Sequence, residues 1–388
     1  MPEALIFFAL LSLGAWTYVC WGHGSFWRAD QRLPETHSAP EQWPNVTAVI
    51  PARNEAEHIA TAVRSLLGQD YPGDLRVVVV DDGSTDGTGT LAERAGSPDR
   101  LLVFSGRPLP TGWTGKLWAV DQGIRAADKR WPDSGFLLLT DADIEHHPSK
   151  LRRLVAKAEI ERRDLVSLMV QLRCQTFWER LLVPAFVFFF QKLFPFPWVN
   201  DPQRPEAAAA GGCMLIRAQT LTASGGIGAI RDQLIDDCAL ATRIKAHAPI
   251  WLGLSEQTRS LRAYACLRDV WSMVARTAFT QLRHSVRRLL MTVVGMIVMY
   301  VTPPVALVAG ILGTNPWAAA LGATAWGLMV CAFRPTLGLY RLSTGWALAL
   351  PVTAVFYVLM TVDSARRTWL GRGGMWKGRS FDGANAIK

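Results

Sequence analysis

Three stretches of this 388-residue chain carry no charged side chain: 4–22, 289–333 and 342–362. A helix that crosses a bilayer needs about 20 apolar residues. The first and last stretches are therefore one span each. The middle one is long enough for two, broken at Gly313-Thr314-Asn315-Pro316. The expectation is an N-terminal anchor over 1–24, two to three spans within 289–362, and a basic tail over 363–388. Pro303-Pro304 makes the first half of the long stretch a candidate for a kinked or re-entrant element. The first stretch reads as a retained anchor rather than a signal peptide, because Met1-Pro2-Glu3-Ala4 has no Lys or Arg and no clear small-residue cleavage site follows.

Charge beside the spans gives orientation. Glu3 precedes the first span, while Arg28 and Arg32 follow it. The excess of Lys and Arg on the cytoplasmic side then puts 23–288 in the cytoplasm. The C-terminal end conflicts with a simple four-span count. Arg334 and Arg341 mark their loop as cytoplasmic, but so do Arg366, Arg367, Arg372, Lys377, Arg379 and Lys388 in the tail. Either the last stretch is re-entrant, bent at Pro351, or the long stretch crosses once or three times.

Composition narrows the class. Half the residues are hydrophobic and 19% are charged, which excludes a disordered chain. The 16 Trp suit a membrane–water boundary. The six Cys form no C-x-x-C pair, so a zinc ribbon or a disulfide scaffold is not expected, and a reducing compartment fits. The net charge of +9 is accounted for by cytoplasmic loops beside anionic lipid, without nucleic acid as a partner.

Between the anchors, strand-like and helix-like stretches alternate. Strands are expected at 46–50, 75–80, 101–104, 136–140 and 165–170, with helices at 55–67, from 84 to about 95, at 115–127 and from 149. Residues 75–80 (LRVVVV) are a near-continuous apolar run, as in a parallel strand covered on both faces. The pattern predicts an α/β domain built on a doubly wound, mostly parallel sheet. Such sheets bind ligands beyond the carboxyl ends of their strands. Polar clusters fall at those ends: Arg53-Asn54-Glu55, Asp81-Asp82, and Asp141-Ala142-Asp143.

Each cluster has a chemistry and a plainer alternative. Asp141 and Asp143 offer oxygen ligands to a hard divalent cation that bridges protein carboxylate to substrate diphosphate; alone they are also a surface turn. Asp82 is placed to accept hydrogen bonds from a base or ribose, with Ser84 as an N-cap for the following helix. Lys116 in Gly112-Trp113-Thr114-Gly115-Lys116 sits near a helix N-terminus, where it suits a phosphate, although the segment is not a Walker A loop. Asp236 and Asp237 begin another helix, either as dipole partners or with one as a general base. Glu145-His146-His147 reads as helix entry, there being no matching His elsewhere for a metal site. Phe186–Trp198 (FVFFFQKLFPFPW) is too short and interrupted to span, and is either buried core or, as favoured here, part of a membrane-interfacial segment over 176–199.

Taken together, P-A-R-N-E (51–55), V-D-D-G-S-T-D-G-T (80–88), G-K (115–116), D-A-D (141–143), G-G-C-M-L-I-R (211–217) and I-D-D (235–237) resemble the inverting GT-A glycosyltransferases of family 2. They cover about 45–285. G-W-T-G-K-L-W-A (112–119), F-W-E-R-L-L-V-P-A-F-V-F-F-F-Q (177–191), A-A-A-A-G-G-C-M-L (207–215) and L-I-D-D-C-A-L-A (234–241) are similar to the membrane-bound, hopene-associated glycosyltransferases of bacteria, nearly end to end. The resemblance implies a hexosyltransferase in the bacterial inner membrane. It would move one sugar from a nucleotide-diphosphate sugar, UDP-linked by preference, to a lipid hydroxyl, with Mn²⁺ or Mg²⁺. Asn54, Glu55, Asp82, Lys116 and Asp141 would bind the donor, Asp143 the metal, and Asp237 would be the base. Asp236, Arg276 and Arg283 would be further diphosphate or acceptor contacts. The family's frequent Q-x-x-R-W is absent from 276–283, which argues against processive polymer synthesis. A nucleotidyltransferase and an inactive membrane scaffold are the rival readings.

Overall fold

The computed structural model describes residues 2–35, 39–371 and 373. Within them the chain forms two compact units, neither contiguous in sequence. One is an α/β unit from Asp30–Arg173 and Trp198–Ala263. The other is helical, from Met1–Ala29, Cys174–Pro197 and Tyr264–Gly373. Segments 174–197 and 264–285, expected inside the glycosyltransferase region, thus group with the apolar helices.

The α/β unit is built on eight strands: β1 Val46–Ala52, β2 Leu75–Asp81, β3 Leu101–Ser105, β4 Phe136–Thr140, β5 Ile144–Glu145, β6 Leu165–Gln171, β7 Cys213–Arg217 and β8 Ile250–Ser260. Their order is β3-β2-β1-β4-β7-β6-β8-β5. β3, β2, β1 and β4 run parallel, as do β6 and β8, while β7 and β5 run antiparallel to their neighbours. The five strands expected from sequence are all present. The sheet is mixed but mostly parallel, as expected: four of its seven strand pairings are parallel, and β7 and β5 supply the antiparallel ones.

β2 shows why the sheet forms. Val77 and Val79 pack into one apolar cluster, with Ile50 and Val63, while Val78 and Val80 pack into another, with Ala119 and Ala127. Burial on both faces favours Val over an alternating pattern. The helix Gly115–Arg130 lies close against this second face. A Cβ on Gly123 would come within 2.5 Å of Val49 Cγ1, so glycine there sets the approach.

In the helical unit, four segments are long and apolar enough to cross a membrane: Glu3–Trp21, Val286–Leu312, Pro316–Leu339 and Thr344–Trp369. The Val286–Leu312 segment contains a wide turn at Ile297–Val301, directly before Pro303-Pro304. Neither proline has an N–H, so the Met299 carbonyl gets no bond from either the fourth or the fifth residue after it. The N-terminal helix supplies the replacement. Trp16 Nε1 donates to that carbonyl at 2.7 Å and Ser12 Oγ at 3.4 Å. The aromatic segment is the helix Phe177–Leu193, with Phe188 and Phe189 buried in the unit's core beside Tyr300 and Tyr357. Burial accounts for its middle; Phe177 and Leu193 at its ends are exposed. Arg366 and Arg367 close the last helix, and most of the basic tail lies outside the described residues.

Candidate active site

The carboxyl ends of β1, β2, β4 and β8 and the start of the antiparallel β7 share one edge of the sheet. β1 leads into Arg53-Asn54-Glu55. Asn54 has φ 51°, a conformation Asn tolerates better than most residues. Its backbone N–H donates to Ser84 Oγ at 2.9 Å, and its Oδ1 accepts from Thr85 N at 2.9 Å. Ser84 is thus bound to the β1 loop and does not cap a helix. The next helix starts at Thr88 behind Gly87, at φ 86°, and Asp81 Oδ1 holds the turn through Ser84 N. Asp82 is buried, with its carboxylate 3.8 Å from Arg53, which also donates to the Asp82 carbonyl.

β4 ends at Asp141-Ala142-Asp143. Asp143 is buried and its Oδ2 accepts from Ser260 Oγ and from Arg262 Nε, both at 3.0 Å. The other arm of the Arg262 guanidinium donates to Glu55 at 2.5 Å. Arg262 therefore ties the end of β8 to the ends of β1 and β4. Sequence reasoning missed it because β8 was not recognised: its apolar run Ile250–Leu254 contains Gly253 and continues into polar residues. Glu145 lies in the short strand β5, and His146 is buried with Nε2 3.0 Å from Thr140 Oγ1. The reading of 145–147 as helix entry is corrected; the helix begins at Lys150.

Lys116 reaches the same edge from the first turn of Gly115–Arg130, whose N-cap is Thr114. Its Nζ lies 3.1 Å from Asp141 Oδ1 and 3.1 Å from Asp236 Oδ2. Burial opposes its charge, but Asp141, Asp236 and Asp237 outweigh burial and raise its pKa. Burial raises the pKa of Asp141, with Lys116 pulling the other way. Asp237, in the first turn of Asp236–Lys245, accepts from Gly211 N at 2.9 Å and from Cys238 N at 2.8 Å. Burial, then the neighbouring Asp236, push it up to about 6, against the pull of Lys116. A Cβ at Gly211 would sit 3.2 Å from Lys116 Nζ, a tight contact from which the flexible lysine end would have to give by a few tenths of an ångström.

Six predicted residues thus fall into two bridged groups, Glu55 and Asp143 joined by Arg262, and Asp141 and Asp236 joined by Lys116 with Asp237 beside them, while Asn54 and Asp82 lie at the adjoining strand ends. Arg276 and Arg283 belong to the helical unit, where Arg276 caps Leu267–Ala275 and Arg283 has φ 53°; the two groups are built without them. Five carboxylates (Glu55, Asp141, Asp143, Asp236, Asp237) face two cations, Lys116 and Arg262. Of these groups, Asp141, Asp236 and Lys116 line a small concavity whose other walls are mainly apolar, among them Leu117, Val120, Leu139 and Met214.

A mixed sheet whose parallel strands carry polar residues at their carboxyl ends, with the strand order reversing between β1 and β4, defines an α/β domain with a ligand site at its switch point. Residues 47–221 match the family described as Glycosyl transferase family 2. Those residues form a domain of that family, and the fold is GT-A-like. The chain is 33% identical over 138 residues to the succinoglycan biosynthesis protein ExoO of Rhizobium meliloti, covering 34% of this chain and 36% of that protein. It is 33% identical over 143 residues to an undecaprenyl-phosphate 4-deoxy-4-formamido-L-arabinose transferase of Enterobacter sp., covering 35% and 39%. These alignments span less than two-fifths of either relative's length. Among solved structures, a mannosyltransferase from Pyrobaculum calidifontis, in complex with GDP-Man and Mn²⁺, is similar in fold, with a TM-score of 0.52 and 21% identity over 98% of this chain and 100% of that one.

Proposed function

We propose that this chain transfers one sugar from a nucleotide-diphosphate sugar, UDP-linked by preference, to the hydroxyl of a membrane lipid at the cytoplasmic face of the bacterial inner membrane. The observation that carries this reading is the Lys116–Asp141–Asp236–Asp237 cluster at the switch point of a family 2 domain.

Asp237 is the base. A carboxylate poised at about 6 is ionised at neutral pH and still takes a proton. It accepts the acceptor hydroxyl's proton as that oxygen attacks the anomeric carbon, and a single displacement inverts the configuration. Asn54 and Asp82 receive the nucleoside, and Lys116 stands at the diphosphate as a point charge. Among the described residues no three His, Cys, Asp or Glu side chains gather as a closed metal site. The five carboxylates against two cations fit a hard divalent ion that takes few protein ligands. Asp141 and Asp143 are the residues that would hold it. Mn²⁺ or Mg²⁺ bound there would offset charge on the departing diphosphate.

The lipid acceptor is supported by four apolar helices on the same chain, which keep the enzyme where such an acceptor is concentrated. A hopanoid-related lipid is the acceptor we would test first. The test is nucleoside diphosphate release by detergent-purified protein, offered UDP- and GDP-sugars, Mn²⁺ or Mg²⁺, and membrane lipid extract. Release that needs both lipid and metal, and is lost in Asp237→Asn, supports the proposal. Release of pyrophosphate instead, or nucleotide binding without turnover for any donor, overturns it.

A further inference from the structure

We infer that only three of the four apolar helices cross the bilayer, and that the last, Leu350–Trp369, lies against the leaflet on the side where the first helix ends at Trp21, bound to its lipid. This rests on the membrane location proposed above.

The argument is one of parity, made within the helical unit. The first helix ends at Trp21, on the side where the chain continues to the α/β unit. Trp16, near that end, packs edge-on against Tyr300 at 5.3 Å. Phe26, just past that end, stacks at 5.3 Å on Phe188, and Phe188 lies 5.2 Å from Phe333. Phe333 is therefore near the Trp21 side. Pro316, 17 residues earlier on the same helix, is about 25 Å away, at 1.5 Å per residue, on the far side. So Val286–Leu312 leaves the Trp21 side and Pro316–Leu339 returns to it. The close pairing of these two helices agrees: Cβ atoms on Gly310 and Gly322 would meet the backbone of Ala319 and Leu307 at 2.4 and 2.5 Å.

The last helix therefore starts on the Trp21 side, and it also ends there. Asp363 accepts from Trp271 Nε1 at 2.8 Å, Ser364 Oγ accepts from Phe279 N at 3.0 Å, and Ala365 packs with Phe279 and Leu289. Trp271 and Phe279 precede the Val286–Leu312 segment, and Leu289 lies in its first turn. An element with both ends on one side does not cross. Along its length Thr353 and Tyr357 donate to the Leu181 and Leu182 carbonyls of Phe177–Leu193, a helix too short to be a span candidate. The opposite face is an apolar stripe, Leu348, Val352, Val355, Leu359, Val362 and Trp369, all exposed and at helical spacing. A one-sided stripe on an element that returns to its own side matches an in-plane helix with its apolar face in lipid. Arg366 and Arg367 in its last turn then lie on the same side as Arg334 and Arg341, which removes the conflict in their charges.

The test is labelling of full-length protein in sealed vesicles of both orientations with a membrane-impermeant maleimide. The six native cysteines are replaced, and single cysteines are placed at Ser97, Thr314, Thr344 or after Lys388. We expect Ser97, Thr344 and the C-terminus to label from one side and Thr314 only from the other. Labelling of the C-terminus from the Thr314 side overturns the inference, as does labelling of Thr314 from the Ser97 side in protein that sediments with membranes. Protein that remains soluble after sedimentation overturns the membrane location itself, a result the vesicle labelling cannot mimic.

Discussion

Arg262 Nε lies 3.0 Å from Asp143 Oδ2, and the same guanidinium, through its other arm, holds Glu55. One residue at the end of β8 thus neutralises two carboxylates from β4 and β1 that would otherwise repel. Arg262→Ala leaves both without that partner. Loss of a buried charge partner costs about 3–5 kcal/mol. Arg262 is about a third exposed, so solvent screening reduces the expected loss to about 2 kcal/mol. Arg262→Lys keeps the charge but has no planar fork to hold both carboxylates, so it should restore stability only in part. Chemical denaturation of the three proteins measures this; equal stabilities would show that the bridge is incidental.

Asp237 predicts a pH profile. Its pKa of about 6 means that the proposed base is increasingly protonated below that value, so in that role kcat/KM should fall about tenfold per pH unit on the acid side. The sign for stability is opposite. The folded pKa lies above the ordinary 3.8, so the folded state takes up this proton first. This group therefore adds stability as pH falls from about 6 towards 4, and its cost returns as pH rises through 6. Acid loss of activity with no accompanying loss of thermal stability over that interval is the expected pair of results. Asp237→Asn should have residual activity without the limb near 6.

Lys116 should move that limb. Its charge lowers the Asp237 pKa, against burial and Asp236. Lys116→Gln removes the pull and leaves Asp141 and Asp236 without their shared cation. The acid limb should shift to higher pH, and donor affinity should fall more than tenfold. A limb that stays near 6 would mean that Lys116 does not act on Asp237.

Much of this site was legible because a buried parallel strand leaves a plain mark. Residues 75–80 and 136–140 are apolar but for Arg76 and Thr140, and the polar residues that follow them, Asp82, Asp141 and Asp143, had to fall at one edge of the sheet. What the sequence hid were the partners. Arg262 follows a strand that Gly253 and a polar second half disguise. Ser84 looked like a cap because Ser is common there, yet the Asn54 N–H claimed its hydroxyl. That Lys116 joins Asp141 to Asp236 depends on how closely Gly123 lets one helix approach the sheet, and spacing along a chain does not record a distance of that kind. In the helical unit, length and composition gave the four candidate segments, but not which side the last one ends on.

The N-terminal helix yields the last prediction. Met299 O is orphaned by Pro303 and Pro304 and is bound by Trp16 Nε1 at 2.7 Å and, more weakly, by Ser12 Oγ at 3.4 Å. A polar group left unsatisfied in an apolar setting costs about 1–3 kcal/mol, whereas hydrogen bonds between membrane helices average about 0.6 kcal/mol. Trp16→Phe keeps an aromatic ring against Tyr300 but deletes the donor, so it should lower thermal stability in detergent by about 1 kcal/mol. Ser12→Ala alone should have little effect while Trp16 remains. The double variant should lose more than the sum of the two, because Ser12 is the remaining donor to that carbonyl once Trp16 is changed. Restoring an ordinary helix by Pro303→Ala in the Trp16→Phe background should recover part of the loss, since residue 303 can then donate to Met299 itself. Additive losses, with no recovery from Pro303→Ala, would show that Trp16 acts through packing alone.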